Sequence, residues 1–203
     1  MKKTLLIILG ILLSIKVSAQ SAHDLLNSIV EKNKSYNDIS IIFEYEFKNE
    51  TNGFSENTGG YMYMKGNSFV INMDGQEMIC DGKTLWTHLI DDEEVMISDA
   101  TEDGNISPLA IIETFSQNVN VSFDANNNDI TTLLIEEEEK STFEIASISV
   151  DKDLKIIKLV ITTLDGDVIT YKINSFKTNQ DLPNSMFIFD ERIYPNVEII
   201  DMR

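Results

Sequence analysis

Between Gln20 and Ser107 the chain contains no proline, and from Ile39 onward apolar and polar residues alternate with a period of two. That combination constrains the fold more than any other feature. Period two is the spacing of a strand with one dry face and one wet face, and a sheet interior tolerates no proline. Ile39, Ile41, Phe43, Tyr45 and Phe47 point one way, and Glu44, Glu46 and Lys48 point the other. Asp74-Gly75, Asp81-Gly82 and Asp165-Gly166 are strong hairpin signals, and Lys65-Gly66-Asn67 reads as a further turn. Strands are expected at 39–47, 60–64, 68–73, 76–80, 83–89 and 94–98. Further strands are expected at 119–123, 131–135, 142–150, 155–164, 167–176, 185–189 and 197–200. A mostly β (α+β) domain follows, about ten to eleven of these segments forming an antiparallel sheet curved into an incomplete barrel.

Two helices are expected beside these strands. Over 22–35, Leu25, Leu26, Ile29 and Val30 make one apolar stripe, with Ser21 as cap and Asp24 three residues on. Ser107-Pro108 opens a second helix, whose apolar face carries Leu109, Ile112 and Phe115. Ahead of both stands a leader. Lys2 and Lys3 precede an apolar run from Leu5 to Ile15, and Val17-Ser18-Ala19 offers small residues for cleavage. We expect residues 1–19 to be a cleaved signal peptide and 20–203 a single domain in the periplasm. No Cys follows the apolar run, so acylation of the chain itself is not expected.

The net charge is −18, and the leader holds three Lys and no acid, so its removal takes the charge to −21. Such a surface repels nucleic acid and anionic lipid. Cys80 is the only cysteine, so the fold must stand without an internal disulfide. We read it as a small buried hydrophobe.

Little in the sequence suggests catalysis. The histidines are His23 and His88. If Asp81-Gly82 is a two-residue hairpin, Cys80 pairs with Lys83, and His88 lies about 16 Å away at ~3.3 Å per residue, too far for a thiol dyad. No Gly-x-Ser-x-Gly, His-Glu-x-x-His or phosphate loop is present. Asp124 to Asp129 has the look of a calcium loop but lacks Gly at its sixth position, and Ile135 stands where the bidentate Glu belongs, so we expect no metal. Glu136 to Glu139 reads as a solvated turn. We expect no enzyme activity and no cofactor; a paired-acid hydrolase is the disfavoured alternative among 34 acids.

The distinctive side chains are apolar. Met62, Met64, Met73, Met78 and Met96 fall on the early strands, interleaved with Tyr61, Tyr63, Phe69 and Trp86. Thioethers are flexible and polarizable and can repack around varied apolar ligands; the same residues can equally fill a core.

Cys80-Asp81-Gly82-Lys83-Thr84-Leu85-Trp86 resembles the "sDGktlW" hairpin of the outer-membrane lipoprotein carrier (LolA-like) family. Phe187-Ile188-Phe189 and Tyr194-Pro195-Asn196-Val197-Glu198-Ile199-Ile200-Asp201 resemble that family's closing motif. Leader, first helix, Phe43–Phe47 strand, Gly60 strand, Trp86 hairpin, Pro108 helix and closing motif stand in family order, so the resemblance spans essentially the whole expected domain. It implies an open, incomplete antiparallel barrel with a helical lid over an apolar concave face. It also implies a carrier that takes acylated lipoproteins from an inner-membrane ABC transporter and passes them to an acceptor at the outer membrane. Candidate acyl-cleft residues are Phe43, Tyr45, Phe47, Met62, Met64, Phe69, Ile71 and Trp86, chosen without knowing which strand face is concave. Leu25, Ile29, Ile112 and Phe115 are candidate lid residues. The family often carries Arg and Pro after the Gly60 strand, and the Arg is credited with latching the lid. Here the stretch reads Met64-Lys65-Gly66-Asn67, which leaves Lys65 as the possible latch. A monomer is expected. The alternative on the same fold is a lipid or lipoprotein sensor.

Overall fold

The computed structural model describes residues 21–100, 117–126, 129–139 and 143–203. The leader and the Pro108 helix, with Ile112 and Phe115, lie outside the described residues.

Helix α1 spans Ala22–Lys34. The Ser21 hydroxyl accepts from the Asp24 amide at 3.0 Å, and the Asp24 carboxylate accepts from the Ser21 amide at 3.4 Å, so the capping box closes with Asp in place of Glu. Leu25, Leu26, Ile29 and Val30 form its buried stripe.

Among the described residues twelve strands follow: β1 Ile39–Asn49, β2 Phe54–Lys65, β3 Ser68–Met73, β4 Gln76–Cys80, β5 Thr84–Leu89, β6 Glu94–Asp99, β7 Val119–Asn126, β8 Ile130–Glu137, β9 Ile145–Asp151, β10 Ile156–Thr162, β11 Val168–Thr178 and β12 Glu198–Asp201. All belong to one sheet in the order β12-β6-β5-β4-β3-β2-β1-β11-β10-β9-β8-β7. β1 is central, antiparallel to β2 on one side and β11 on the other. The edge strands β7 and β12 do not meet, so the sheet stays open, as expected. Most hairpins close as the turns predict. Met73 pairs with Gln76 across Asp74 and Gly75, whose φ values of 54° and 70° are those of a type I′ turn.

Three expectations fail, each for a physical reason. Residues 185–189 are not a strand. Asn184–Phe187 is a 3-10 turn, and Phe187 and Phe189 are both buried. Alternation reports which side chains are dry, and here the dry side is the face of the sheet rather than a ladder. β12 pairs with β6 in parallel, because residues 179–197 first cross the sheet face and so supply the long connection that a parallel pair needs. The loop after β4 holds four residues, not two. Cys80 pairs with Leu85, the Asp81 amide donates to the Thr84 carbonyl at 3.3 Å, and the Asp81 carboxylate accepts from the Lys83 and Thr84 amides at 2.8 Å each. That side chain supplies the turn's hydrogen bonds, as Asp does in an Asx-turn.

The register sorts side chains onto two faces. One face runs across the whole sheet. Beneath α1 it carries Val119, Leu133, Ile135, Ala146, Ile148 and Val150, packed with Leu25, Leu26 and Ile29 into one core. Farther along it carries a second core of Ile39, Ile41, Phe43, Met64, Phe69, Cys80 and Leu85. The opposite face, at β2–β6, is covered by the C-terminal strap at 179–197. There Leu182, Met186, Phe187, Phe189, Tyr194 and Val197 pack on Val70, Ile79, Val95 and Ile97.

Candidate acyl cleft

The first face is built of cross-strand rows, since side chains directly opposite in a ladder share a face. The innermost row is Ile39–Met64–Phe69–Cys80–Leu85, and every member is buried. The next row is Phe176–Ile41–Met62–Ile71–Met78–Thr87–Met96–Ile200, crossing β11, β1 to β6 and β12. Only Ile41 in it is buried; the rest are half-buried. The third row begins Ile173–Phe43–Gly60–Met73. Beyond it Tyr45 pairs with Tyr171, their ring centroids 5.4 Å apart. Sealed at one end and half-open toward the other, these rows make an apolar trough bordered by tyrosines.

Two features shape its floor. A Cβ at Gly60 would stand 2.5 Å from Phe43 Cζ and 2.7 Å from the Asn72 carbonyl oxygen. The Phe43 ring therefore lies across the gap that glycine leaves, edge-on to Tyr171 at 5.8 Å. Burial pushes the Tyr171 phenol up, with Tyr45 adding to the effect; burial likewise leads at Tyr45, followed by the charges of Glu56 and Asp74. Burial also pushes the Cys80 thiol up, against the smaller opposing effect of the Gly82 amide. The thiol is thus kept protonated, a packing group rather than a nucleophile. Cys80 and His88 point to opposite faces, because Leu85 shares the Cys80 row and His88 stands an odd number of residues farther on. Among the described residues no cluster of three or more His, Cys, Asp or Glu side chains is arranged to hold a metal.

Of the cleft candidates, Phe43, Tyr45, Phe47, Met62, Met64, Phe69 and Ile71 share this face. Met64 and Phe69 lie in the sealed row, where they form its base. Trp86 does not join them. It pairs with Ile79 and Ile97 on the opposite face, beneath the strap. Met73 and Met78, which the sequence marks among the early-strand methionines but not among the cleft candidates, also border the trough, as do Tyr171, Ile173 and Phe176, which it does not mark. The two-residue turns at 66–67 and 74–75 could have identified Met78, since they place Met62 beside Ile71 and Ile71 beside Met78.

Leu25 and Ile29 are buried where α1 covers the β7–β10 half of the face. Lys65 does not reach this helix. Its ammonium donates to the Leu182 carbonyl at 2.6 Å, because Lys65, next to buried Met64, faces the strap side. Lys32 fastens α1, donating to the Asp153 carbonyl in the β9–β10 turn at 2.5 Å.

The strap is tied by polar groups that are themselves buried. The Asp38 carboxylate accepts from the Gln180 amide at 2.8 Å and the Leu182 amide at 3.3 Å. Glu77 accepts from the Tyr61 and Tyr194 hydroxyls, both at 3.0 Å. Burial, then the Glu77 charge and hydrogen bond, push the Tyr61 phenol up to about 12. His88, opposite Glu77 in the ladder, lies 4.6 Å from the Tyr194 ring centroid.

No curated protein matches the chain. A LolA superfamily protein from Nitrosomonas europaea is similar at 12% identity and TM-score 0.44, covering 84% of this chain and 98% of that one. A putative outer membrane lipoprotein-sorting protein domain from Vibrio parahaemolyticus is similar at 10% and 0.45, with coverages of 85% and 97%. The lipoprotein LppX of Mycobacterium tuberculosis is similar at 11% and 0.44, with coverages of 80% and 97%. The family model for the outer membrane lipoprotein carrier protein LolA matches residues 34–190, more than three quarters of the sequence and nearly all of the sheet described above. The chain therefore belongs to the LolA family of lipoprotein carrier and binding proteins.

Proposed function

We propose that this protein shields the acyl chains of lipoproteins in the trough and delivers them from the inner to the outer membrane. In this reading residues 1–19 are removed on export, and residues 20–203 act in the periplasm as a monomeric single domain without enzymatic activity. An inner-membrane ABC transporter loads the carrier, and an acceptor at the outer membrane unloads it. Among the described residues no helix is long and apolar enough to cross a membrane.

The observation that carries the proposal is the half-buried row Met62–Ile71–Met78 with Met73 beside it, a run of apolar side chains that packing leaves incompletely covered. An acyl chain gains about 0.8 kcal/mol for each methylene moved from water into such a place. A multi-acyl anchor therefore crosses water only inside a dry groove. Delivery requires that the groove stabilise the chains less than the destination membrane does, and a half-open trough suits that requirement.

The test is displacement of an environment-sensitive apolar dye by an acylated peptide. The unmodified protein should bind the dye and release it to the peptide. Ile71→Asp should fold yet lose acyl affinity by several kcal/mol, because the new carboxylate has no partner in the trough. Unchanged affinity in folded Ile71→Asp and Met62→Glu variants would overturn the assignment of the trough.

A further inference from the structure

The second row of the trough has an uneven stiffness. Met62, Met78 and Met96 stand on β2, β4 and β6, and β-branched Ile71 and Thr87 stand between them on β3 and β5. Successive methionines are therefore two strands apart, about 10 Å at ~4.8 Å per strand. Branching at Cβ restricts χ1 in Ile and Thr, whereas Met has three rotatable bonds and a polarizable sulfur. All five side chains are half-buried, so the thioethers keep room to move that a closed core would deny them.

On the carrier reading just given, we propose that Met62, Met78 and Met96 determine the acyl specificity of the trough. They act as flexible arms between fixed posts, so that it accepts straight, cis-unsaturated and methyl-branched chains with similar affinity. A kink or branch displaces volume sideways. A floor of fixed rotamers meets that displacement with a clash or a void, while an unbranched thioether swings to fill the one or clear the other. Ile71 and Thr87 keep the track's direction while its width adapts. The cargo class is thus acyl chains of mixed shape rather than one chain of defined geometry.

The experiment compares N-palmitoyl, N-oleoyl and methyl-branched N-acyl versions of one peptide on the full chain. The triple variant Met62→Leu/Met78→Leu/Met96→Leu is measured beside it, a volume-conserving change of the kind that cores tolerate best. The unmodified protein should bind the three peptides within about threefold of one another. The leucine variant should lose about tenfold or more affinity for the oleoyl and branched chains relative to the palmitoyl chain. Equal loss for all three, or none, would overturn the specificity role. If the triple variant does not fold, Met78→Leu alone carries the same comparison at the middle of the row, and an unchanged preference there overturns the role equally. Failure of the unmodified protein to bind any of the peptides would instead overturn the carrier reading, and this inference with it.

Discussion

Gly59 and Gly60 are neighbours on one strand, and alanine at the two positions should have opposite effects. At Gly60 the new Cβ would lie 2.5 Å from Phe43 Cζ and 2.7 Å from the Asn72 carbonyl oxygen. The ring can rotate away, but the carbonyl belongs to a paired strand and cannot. Overpacking of this kind costs about 1–3 kcal/mol. Removing a strand glycine returns roughly 0.5–1 kcal/mol. Gly60→Ala should therefore be destabilised by about 1–2 kcal/mol, and the displaced Phe43 should also weaken dye binding in the trough. At Gly59 the nearest atom is the Phe43 carbonyl oxygen, 3.9 Å away, which is ordinary contact, so Gly59→Ala should gain roughly 0.5–1 kcal/mol. Urea denaturation of the pair measures the difference directly: both midpoints should move, in opposite directions, with unchanged slope. A Gly60→Ala protein as stable as Gly59→Ala would refute the reasoning, because the Phe43 ring would then not depend on the missing side chain.

Other measurements probe the strap and the lid. Lys32→Ala should raise hydrogen exchange in α1, whereas Lys65→Ala should leave α1 unchanged and shift the fluorescence of Trp86 under the strap; the reverse pattern would return the latch to Lys65. Asp38→Ala should cost about 1.5–3 kcal/mol for each charge-assisted bond lost. It should also deprotect the Gln180 and Leu182 amides first, and protection unchanged at both would remove Asp38 from the anchor. The Tyr61 phenol, ordinarily near 10, is raised to about 12 in the folded chain, so its contribution is whole below pH 10 and is lost as pH rises toward 12. Stability should fall across that window, and Glu77→Gln should shallow the fall by removing the adjacent charge.

Much of this was legible before the fold was known. The period of two and the Asp-Gly turns determine the strands, and once two turns are two residues long, parity alone places Met62, Ile71 and Met78 on one face. Parity also separates Trp86. Whether Cys80 opposes Lys83 or Leu85, residue 85 shares the Cys80 face and residue 86 does not. The motif drew attention to the tryptophan as conspicuous, but alternation already placed it elsewhere. The strap was not legible, because Phe187 and Phe189 alternate as strand residues do, and nothing local distinguishes packing on a sheet from joining one. Nor was the partner of Lys65: a lysine reaches a carbonyl 117 residues away only once the chain has folded back on itself.

Asp38 occupies the junction of two otherwise separate covers. The helix that covers one face ends four residues earlier, and the segment that covers the other face begins where its carboxylate binds Gln180 and Leu182. The Asn37 amide adds a bond to the Asn179 side chain at 2.8 Å, and the Asn179 amide donates to the Asp38 carbonyl at 3.0 Å. Helix and strap thus leave from a single knot, like two straps sewn to one buckle. Loosening that knot, as in Asp38→Ala, should therefore release the start of the strap and the end of the α1 connection together.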